Sequence, residues 1–240
     1  MIGTLAVLTV AVMAAATHTD TTVAVKPGTR LELSNFGGSI AVTTWSRNAV
    51  RVMAEHSSRI EIQIEISGPA LVIKGVHWRG VPTTVDYQLT VPRWMGLELS
   101  GVNTDVSVEG SGGEVYIETV RGEVSVGGGS RVVKVNSVDG EVRISAASGK
   151  IECSSVNGDV HVERSTGPVM ASSVNGEIIL VGIDSDDVEA STINGTVRYD
   201  GAIKDGGSYR FSTHNGDVTV AVPERATATV DLRVTGDPAV

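Results

Sequence analysis

Six acidic residues recur along the second half of the chain at a spacing that could assemble a cation site. They are Asp105, Glu123, Glu141, Asp159, Glu177 and Asp217. The first five lie 18 residues apart, so a fold that repeats with this period would stack their carboxylates in one column. Stacked like charges repel one another unless something compensates them, and hard cations such as Ca²⁺ prefer several carboxylate and carbonyl oxygens. This acidic column is the sharpest candidate for chemistry in the sequence.

The acidic column has a second interpretation, which we favour. Charges at a turn edge keep a repeated sheet soluble and block lateral pairing of its strands. The Gly-Gly-x-Gly-x-Asp signature of calcium-binding repeats is absent from the chain. The sequence therefore predicts a solvated edge, and cation binding by the column remains a hypothesis.

Other reactive residues show no arrangement that supports catalysis. The five histidines, at 18, 56, 77, 161 and 214, lack metal-ligand spacing. Cys153 alternates with apolar residues, which predicts an inert buried thiol. There is no nucleophile elbow, phosphate loop or dinucleotide fingerprint. We therefore predict no catalytic residue, no cofactor and no metal site.

One set of charged positions could suggest a polysaccharide-cleaving enzyme, because such enzymes need clustered acids with a basic residue. The set comprises Lys134, Glu152, Met170, Glu189 and Arg210, one position per repeat. It mixes both signs of charge, and exposed pairs of this kind contribute about 0–1 kcal/mol. We expect neighbouring ion pairs there rather than an active site.

The acidic residues belong to a repeated sequence motif, Ser/Thr-Val/Ile-Asn/Asp-Gly-acid, which sets their spacing along the chain. Its glycines stand at 122, 140, 158, 176, 195 and 216, so the steps are 18, 18, 18, 19 and 21 residues. Apolar residues alternate with polar ones on both sides of each glycine, which predicts two short strands per repeat with one buried face each. A fixed period of this kind indicates a stacked repeat architecture.

Two architectures fit the motif: a meander of hairpins, or a solenoid in which each Asn-Gly forms a corner. The residue two before the glycine is apolar in five of six repeats, namely Val120, Val138, Val156, Val174 and Ile193. In a hairpin this position would lie on the exposed acidic face, whereas at a solenoid corner it can point inward. We therefore predict an all-β fold, a single-stranded β-solenoid (β-helix) of 18-residue coils, with these residues inside.

The polar positions of the motif are predicted to serve the corner. Asn157, Asn175, Asn194 and Asn215 could form a ladder of side-chain hydrogen bonds, but we favour a role in the turn alone, because Asn and Gly tolerate positive φ. The Ser/Thr residues two positions earlier are expected to pack at the corner and bond the backbone.

Composition narrows the class of partner. The formal net charge is −9, and the basic residues are scattered singly without interleaved aromatics. This pattern argues against nucleic acid and anionic lipid as partners. Aromatic residues make up only 4% of the chain, so the coils must have a thin core of small apolar side chains.

The chain divides into four predicted segments. Residues 1–16 read as a signal peptide, because an apolar run is followed by Ala14-Ala15-Ala16 and is shorter than the roughly 17–25 residues of a membrane span. Residues 20–100 are an irregular β N-terminal cap with the first coils. Residues 101–222 are the regular repeats, and 223–240 hold a C-terminal strand that could be an incomplete cap. We expect an exported mature chain, periplasmic, cell-surface or secreted, without membrane insertion.

The N-terminal segment carries a family resemblance. Gly38-Ser39-Ile40-Ala41-Val42, Trp45 and Val50-Arg51-Val52 precede a strand at 87–92 and then the repeated coils. This pattern, over about residues 20–235, resembles the DUF4097 family of bacterial adhesin-like proteins, a β-solenoid also called the toastrack domain. The chain departs from this pattern at two positions: Thr104 stands where the motif has glycine, and Thr196 stands where it has an acidic residue. The resemblance implies an envelope or secreted location and sometimes association with membrane-stress signalling, and it supplies no catalytic residues.

Together these observations predict a non-enzymatic, exported cell-envelope β-solenoid that acts as an adhesin or a ligand-presenting scaffold. Its partner would be an unknown protein or glycan at the cell envelope, bound through many weak identical contacts. The alternative is a sensory or binding domain of an envelope-stress signalling system. A carbohydrate-active β-helix enzyme receives the least support from the residues.

Overall fold

The computed structural model describes residues 9–10, 17–77 and 84–222, with only the backbone at 9–10 and 77. This part of the chain forms twenty strands and no helix. The first eight are β1 (Thr9–Val10), β2 (His18–Ala24), β3 (Arg30–Trp45), β4 (Ala49–Glu55), β5 (Ile60–Ser67), β6 (Ala70–His77), β7 (Val85–Pro92) and β8 (Gly96–Ser111). The predicted signal peptide lies outside the described residues except for β1, which pairs with β5.

The remaining twelve strands come two to a coil. They are β9 (Val115–Arg121), β10 (Val124–Gly128), β11 (Val132–Asp139), β12 (Val142–Ser145), β13 (Lys150–Asn157), β14 (Val160–Glu163), β15 (Val169–Asn175), β16 (Ile178–Ile183), β17 (Asp187–Asn194), β18 (Val197–Gly201), β19 (Ser208–Asn215) and β20 (Val218–Ala221). Each pairs in parallel with its counterpart in the next coil, so seven consecutive coils run from β8 to β20. The predicted β-solenoid is confirmed.

The parallel strands form two facing sheets with a thin core between them. The first sheet contains β6, the first halves of β3 and β8, and then β9, β11, β13, β15, β17 and β19. The second contains β7, the second halves of β3 and β8, and the even-numbered strands from β10 to β20. Alternate residues face inward, and Val133, Val135, Val160 and Val162 are fully buried, as predicted. Burial of one such side chain stabilises the fold by about 1.5–3 kcal/mol.

The corner glycines are required by the closeness of successive coils. A Cβ on Gly158 would lie 2.1 Å from the carbonyl oxygen of Gly140, and one on Gly176 would lie 2.2 Å from that of Gly158. No real Cβ tolerates such a distance, so any larger residue would push the coils apart. Left-handed φ is not the common cause, because it occurs at three of the six corner glycines (Gly122, Gly195 and Gly216) and not at the other three (Gly140, Gly158 and Gly176).

The predicted inward direction of the apolar corner residues is wrong. Val138 and Val156 are 40% and 39% exposed, whereas Ser137 and Ser155 beside them are buried. Each first-sheet strand continues its alternation into the corner, so that Cys153 and Ser155 point inward and Val156 points outward. The interior at the corner lies against backbone, and the short polar side chains of Ser137 and Ser155 occupy it. The parallel register, not the direction of the valines, establishes the solenoid.

Antiparallel strands occupy the N-terminal end of the stack. Strand β4 pairs antiparallel with β7, β2 with β4, and β5 with β6. The 16-residue strands β3 and β8 pass through the corner without a break and link the two sheets. The predicted C-terminal strand within 223–240 lies outside the described residues. None of the described elements is a helix able to cross a membrane.

Candidate binding face

The outer face of the first sheet carries three columns of side chains that run along the solenoid axis. The mixed column contains Glu32, Glu98, Tyr116, Lys134, Glu152, Met170, Glu189 and Arg210. The serine column contains Ser34, Ser100, Glu118, Asn136, Ser154, Ser172, Ser191 and Ser212. The apolar column contains Phe36, Val102, Val120, Val138, Val156, Val174 and Ile193. The three are offset by two residues along each strand and so stand side by side.

The apolar column is the most unusual of the three because it is exposed. Phe36 is 43% exposed, Val120 43% and Ile193 47%, and Val174 is half-buried. Single exposed apolar residues are normal on a protein surface, but a continuous row of them is a candidate interaction surface. Sequence reasoning missed this column because it assigned these residues to the core. The signal was present, since the alternation from Cys153 to Ser155 places Val156 outside.

The serine column consists of short polar side chains that bond to one another across coils. The hydroxyls of Ser34 and Ser100 are 2.7 Å apart, and Ser154 donates to Oδ1 of Asn136 at 2.9 Å. Glu118 is its one charged member among the described residues. From Asn136 to Ser212 the column is therefore a neutral surface of groups that both donate and accept hydrogen bonds.

The mixed column holds the ion pairs that the sequence predicts. Lys134 Nζ lies 3.3 Å from Glu152 Oε2, Lys150 pairs with the other oxygen of Glu152, and Arg210 lies 3.7 Å from Glu189. Hydrogen bonds from Lys150 and then Lys134 hold the pKa of Glu152 below its usual value. These pairs are exposed and link neighbouring coils or neighbouring residues on one coil, as expected of a solvated face.

The Ser/Thr residues at the corner bond the backbone, as predicted. Ser155 donates to the carbonyl of Gly140 at 3.2 Å, Ser173 to that of Gly158 at 3.0 Å, and Thr192 to that of Gly176 at 3.0 Å. Each hydroxyl thus joins its own coil to the one before. Ser137 is the exception, because its buried hydroxyl has no partner among the described residues.

The corner asparagines form a hydrogen-bonded ladder, the alternative to the turn role that we favoured. Asn215 donates to Asn194, Asn194 to Asn175 and Asn175 to Asn157, each at 2.8 Å. Asn157 in turn donates to Asp139 at 2.7 Å. None of the asparagines has positive φ, so the turn-based expectation is wrong. A primary amide both donates and accepts, and the parallel register places one amide beside the next.

The ladder ends on its N-terminal side at Asp139. Each amide donates toward the N-terminal coil, and Asp139, as a carboxylate, can only accept. Arg121 in the coil before lies 3.7 Å from the other oxygen of Asp139. The ladder is thereby terminated by an acceptor with a cation behind it.

The acidic column lies on the solvent side of the corner, one residue past the glycines. Asp105 accepts from the backbone N–H of Glu123 at 2.9 Å, and Asp159 accepts from that of Glu177 at 2.7 Å. Glu141 forms an ion pair with Arg143, in which Nη2 of Arg143 lies 2.5 Å from Oε1 of Glu141. Asp217 is exposed on the last coil. Within the described ranges no cluster of three or more His, Cys, Asp or Glu side chains could hold a metal ion.

Cys153 and the described histidine side chains lie apart from one another. Cys153 is buried, and burial raises the pKa of its thiol to about 12, so it is not a thiolate at neutral pH. His161 lies 3.2 Å from Glu141, and His56 lies 2.9 Å from the hydroxyl of Thr19. His18 and His214 are exposed, and the side chain of His77 lies outside the described residues.

Two cavities open on the N-terminal coils of this face. One of about 440 Å³ is lined by members of the mixed and serine columns, including Ser34, Ser100 and Tyr116. One of about 280 Å³ is lined by Phe36 and Val102 of the apolar column and reaches Tyr87. Tyr87 is 1% exposed, its pKa is raised by burial, and its hydroxyl has no partner among the described residues.

Comparison with known proteins identifies the fold alone. No family model and no curated protein matches this chain. The structure is similar to that of a putative adhesin from Parabacteroides distasonis, with a TM-score of 0.56 and 14% identity over 85% of this chain and 97% of that chain. A putative lipid binding protein from the same organism (12% identity, TM-score 0.32, 85% and 97% covered) and a putative cell adhesion protein from Clostridium sporogenes (10%, 0.30, 86% and 100%) align less well.

Proposed function

We propose that this protein is a non-enzymatic binding protein of the bacterial cell envelope, an adhesin or scaffold. One observation carries the proposal: the outer face of the first sheet repeats the same columns of side chains from coil to coil, in parallel register. A partner with its own repeat meets the same contact about every 4.8 Å along the axis. Linked contacts of this kind raise avidity by about 10²–10⁴ without any strong single contact.

Two further observations support the proposal. The fold is similar to that of a protein named a putative adhesin, over most of both chains. The N-terminal motif and the repeated motif resemble the DUF4097 family, and we propose membership of that family. The apolar run before Ala14-Ala15-Ala16 supports export to the periplasm, the cell surface or the medium.

Cell fractionation with N-terminal sequencing tests the location. We expect the full chain, expressed in a bacterial host, to leave the cytoplasm and to begin near Thr17 after processing. Recovery of an unprocessed chain that begins at Met1 in the cytoplasm would contradict export.

Retention on isolated cell envelopes tests the binding role. Beads that carry many copies of the mature chain should bind envelopes at least a hundredfold more tightly than the free chain does. Equal retention of both forms, or none, would contradict a multivalent adhesin. Capture of a single membrane signalling protein at one-to-one stoichiometry would instead favour the sensory alternative.

A further inference from the structure

We propose that the outer face of the first sheet binds an extended neutral polysaccharide that lies along the solenoid axis, over the serine and apolar columns. The inference rests on the proposed function and names the partner class for that face.

Charge is the first argument. In a chain of net charge −9, the serine and apolar columns carry no charge from β13 to β17, although the mixed column beside them holds Glu152 and Glu189. The uncharged part consists of Ser154, Ser172 and Ser191, then Val156, Val174 and Ile193, then Asn157, Asn175 and Asn194 at the corner. A charged partner placed there would lose hydration without gaining a counter-charge. A neutral partner has no such cost.

Hydrogen-bonding capacity is the second argument. Serine hydroxyls and asparagine amides both donate and accept, and so do sugar hydroxyls, so the two surfaces can pair in either direction. The valine and isoleucine side chains alongside offer an apolar surface for the C–H face of a sugar ring. An extended peptide gains less here, because the backbone groups of the inner strands are already paired within the sheet.

Contact area excludes a second copy of the chain as a stable occupant. Seven side chains at a strand spacing of about 4.8 Å form a column about 29 Å long. With the serine column beside it, the patch covers roughly 400 Å², about half of what each partner buries in a standard interface. Two such faces with parallel axes would also oppose Glu32, Glu98 and Glu118 of one copy to those of the other.

An unsatisfied buried hydroxyl supplies the independent observation. The cavity of about 280 Å³ at the N-terminal end of the apolar column is lined by Phe36 and Val102 and reaches Tyr87. The hydroxyl of Tyr87 has no partner among the described residues, although a buried polar group without one costs about 1–3 kcal/mol. The hydroxyl is closed to solvent in this structure, so a hydroxyl-bearing ligand that enters the cavity would provide the missing partner once the side chains of the lining move aside.

Co-sedimentation of the mature chain with insoluble polysaccharides tests the proposal. The neutral probes are cellulose, chitin and a β-1,3-glucan, and the anionic control is alginate on beads. We expect retention on at least one neutral probe and none on alginate. Ser172→Arg, which places a bulky charge on the outer face, should weaken binding at least tenfold. Ser107→Arg makes the same change at an exposed serine of the second sheet and should bind as the wild type does.

A second variant examines the cavity without disturbing the surface. Tyr87→Phe should weaken retention about threefold or more and leave the melting temperature unchanged or higher, because it removes an unsatisfied buried hydroxyl. Ser191→Arg replaces Ser172→Arg if circular dichroism shows that the latter does not fold. Retention of Tyr87→Phe equal to that of the wild type would remove the cavity from the site.

Three outcomes would overturn the proposal: no retention on any neutral probe, stronger retention on alginate, or wild-type binding by Ser172→Arg. A concentration-dependent dimer that Ser172→Arg abolishes would identify a second copy as the occupant. Periodate-treated envelopes separate this proposal from the proposed function. If beads still bind envelopes whose sugars are oxidised, the adhesin role holds and the polysaccharide does not.

Discussion

The corner of the solenoid is built differently in the first coils and in the later ones. In the coils from β11 to β16 the chain breaks at a glycine that nearly touches the glycine of the coil before it. In the coils of β3 and β8 the strand passes through the corner unbroken, with Gly38 in β3 and Thr104 in place of the glycine in β8. Asn35 is buried there and donates to the carbonyl of Val85 at 2.9 Å. A small inward polar group bonded to backbone is common to both kinds of corner.

The two regions also differ in the size of the side chains that fill their cores. Leu31, Leu97 and Tyr87 fill the N-terminal coils, whereas the later coils contain mainly valine, alanine and Cys153. The later coils therefore depend on close backbone approach, and the first coils depend on large side chains and on antiparallel strands at their end. The two regions are therefore stabilised in different ways, and substitutions can test the difference.

The largest effect is expected from a methyl group at a repeated corner. Gly158→Ala should destabilise the protein by more than about 4 kcal/mol, because its Cβ would lie 2.1 Å from the carbonyl oxygen of Gly140. Gly96→Ala, whose Cβ meets nothing nearer than 3.7 Å, should be close to neutral. Denaturant unfolding measures both. Similar small losses for the two variants would show that the coils are not in close contact.

A smaller effect is expected from the inward hydroxyls. Ser173→Ala removes the 3.0 Å bond to the carbonyl of Gly158 and should cost about 1 kcal/mol. Ser137→Ala is the matched control, because Ser137 is equally buried but has no partner among the described residues. We expect its free energy of unfolding to stay the same or to rise. Thermal and denaturant unfolding measure both variants. An equal loss of stability in Ser173→Ala and Ser137→Ala would mean that packing, not hydrogen bonding, selects serine here.

The asparagine ladder separates the later coils from the first ones. Asn175→Asp removes the donor to Asn157 and sets a carboxylate against a carbonyl oxygen, which should cost about 0.5–1 kcal/mol on this exposed edge. Asn103→Asp, in the β8 coil before the ladder begins, should cost less. Paired unfolding curves at one salt concentration decide this. A larger loss at Asn103 than at Asn175 would contradict the ladder.

The smallest effect is expected from a charge in the apolar column. Val156→Asp should change the free energy of unfolding by no more than about 0.5 kcal/mol, because the side chain is exposed. Val160→Asp, four residues later and fully buried, should unfold the coil because it buries an unpaired charge. Melting temperatures give the readout. Equal destabilisation by the two variants would restore the inward orientation at the corner.

The repeat allowed much of the fold to be predicted from the sequence. The period, the two strands per coil and the inward columns all follow from local alternation, which is why Val133 and Val160 are where they were expected. The acidic column was also placed at the solvent side of the corner. Cation binding by that column stays a hypothesis.

The features that escaped prediction depend on geometry between coils. The direction of Val156 depends on how far the strand continues into the corner, and an apolar residue was too readily assigned to the core. The asparagine ladder requires the parallel register that sets Asn175 beside Asn157. The pairing of β3 with β6, β7 and β8 joins residues that are 40 (Arg30 and Ala70) to 66 (Arg30 and Gly96) positions apart, which no local pattern specifies.

The ladder and the corner hydroxyls join each coil only to its immediate neighbour, and they do so with the same atoms each time. Removal of residues 159–176 would set Asn194 against Asn157 and Thr192 against Gly158, so that the ladder and the corner hydrogen bonds would form again. The length of the molecule is thus separable from its fold. Evolution or design can extend or shorten it in steps of about 4.8 Å, one coil at a time, without rebuilding either end.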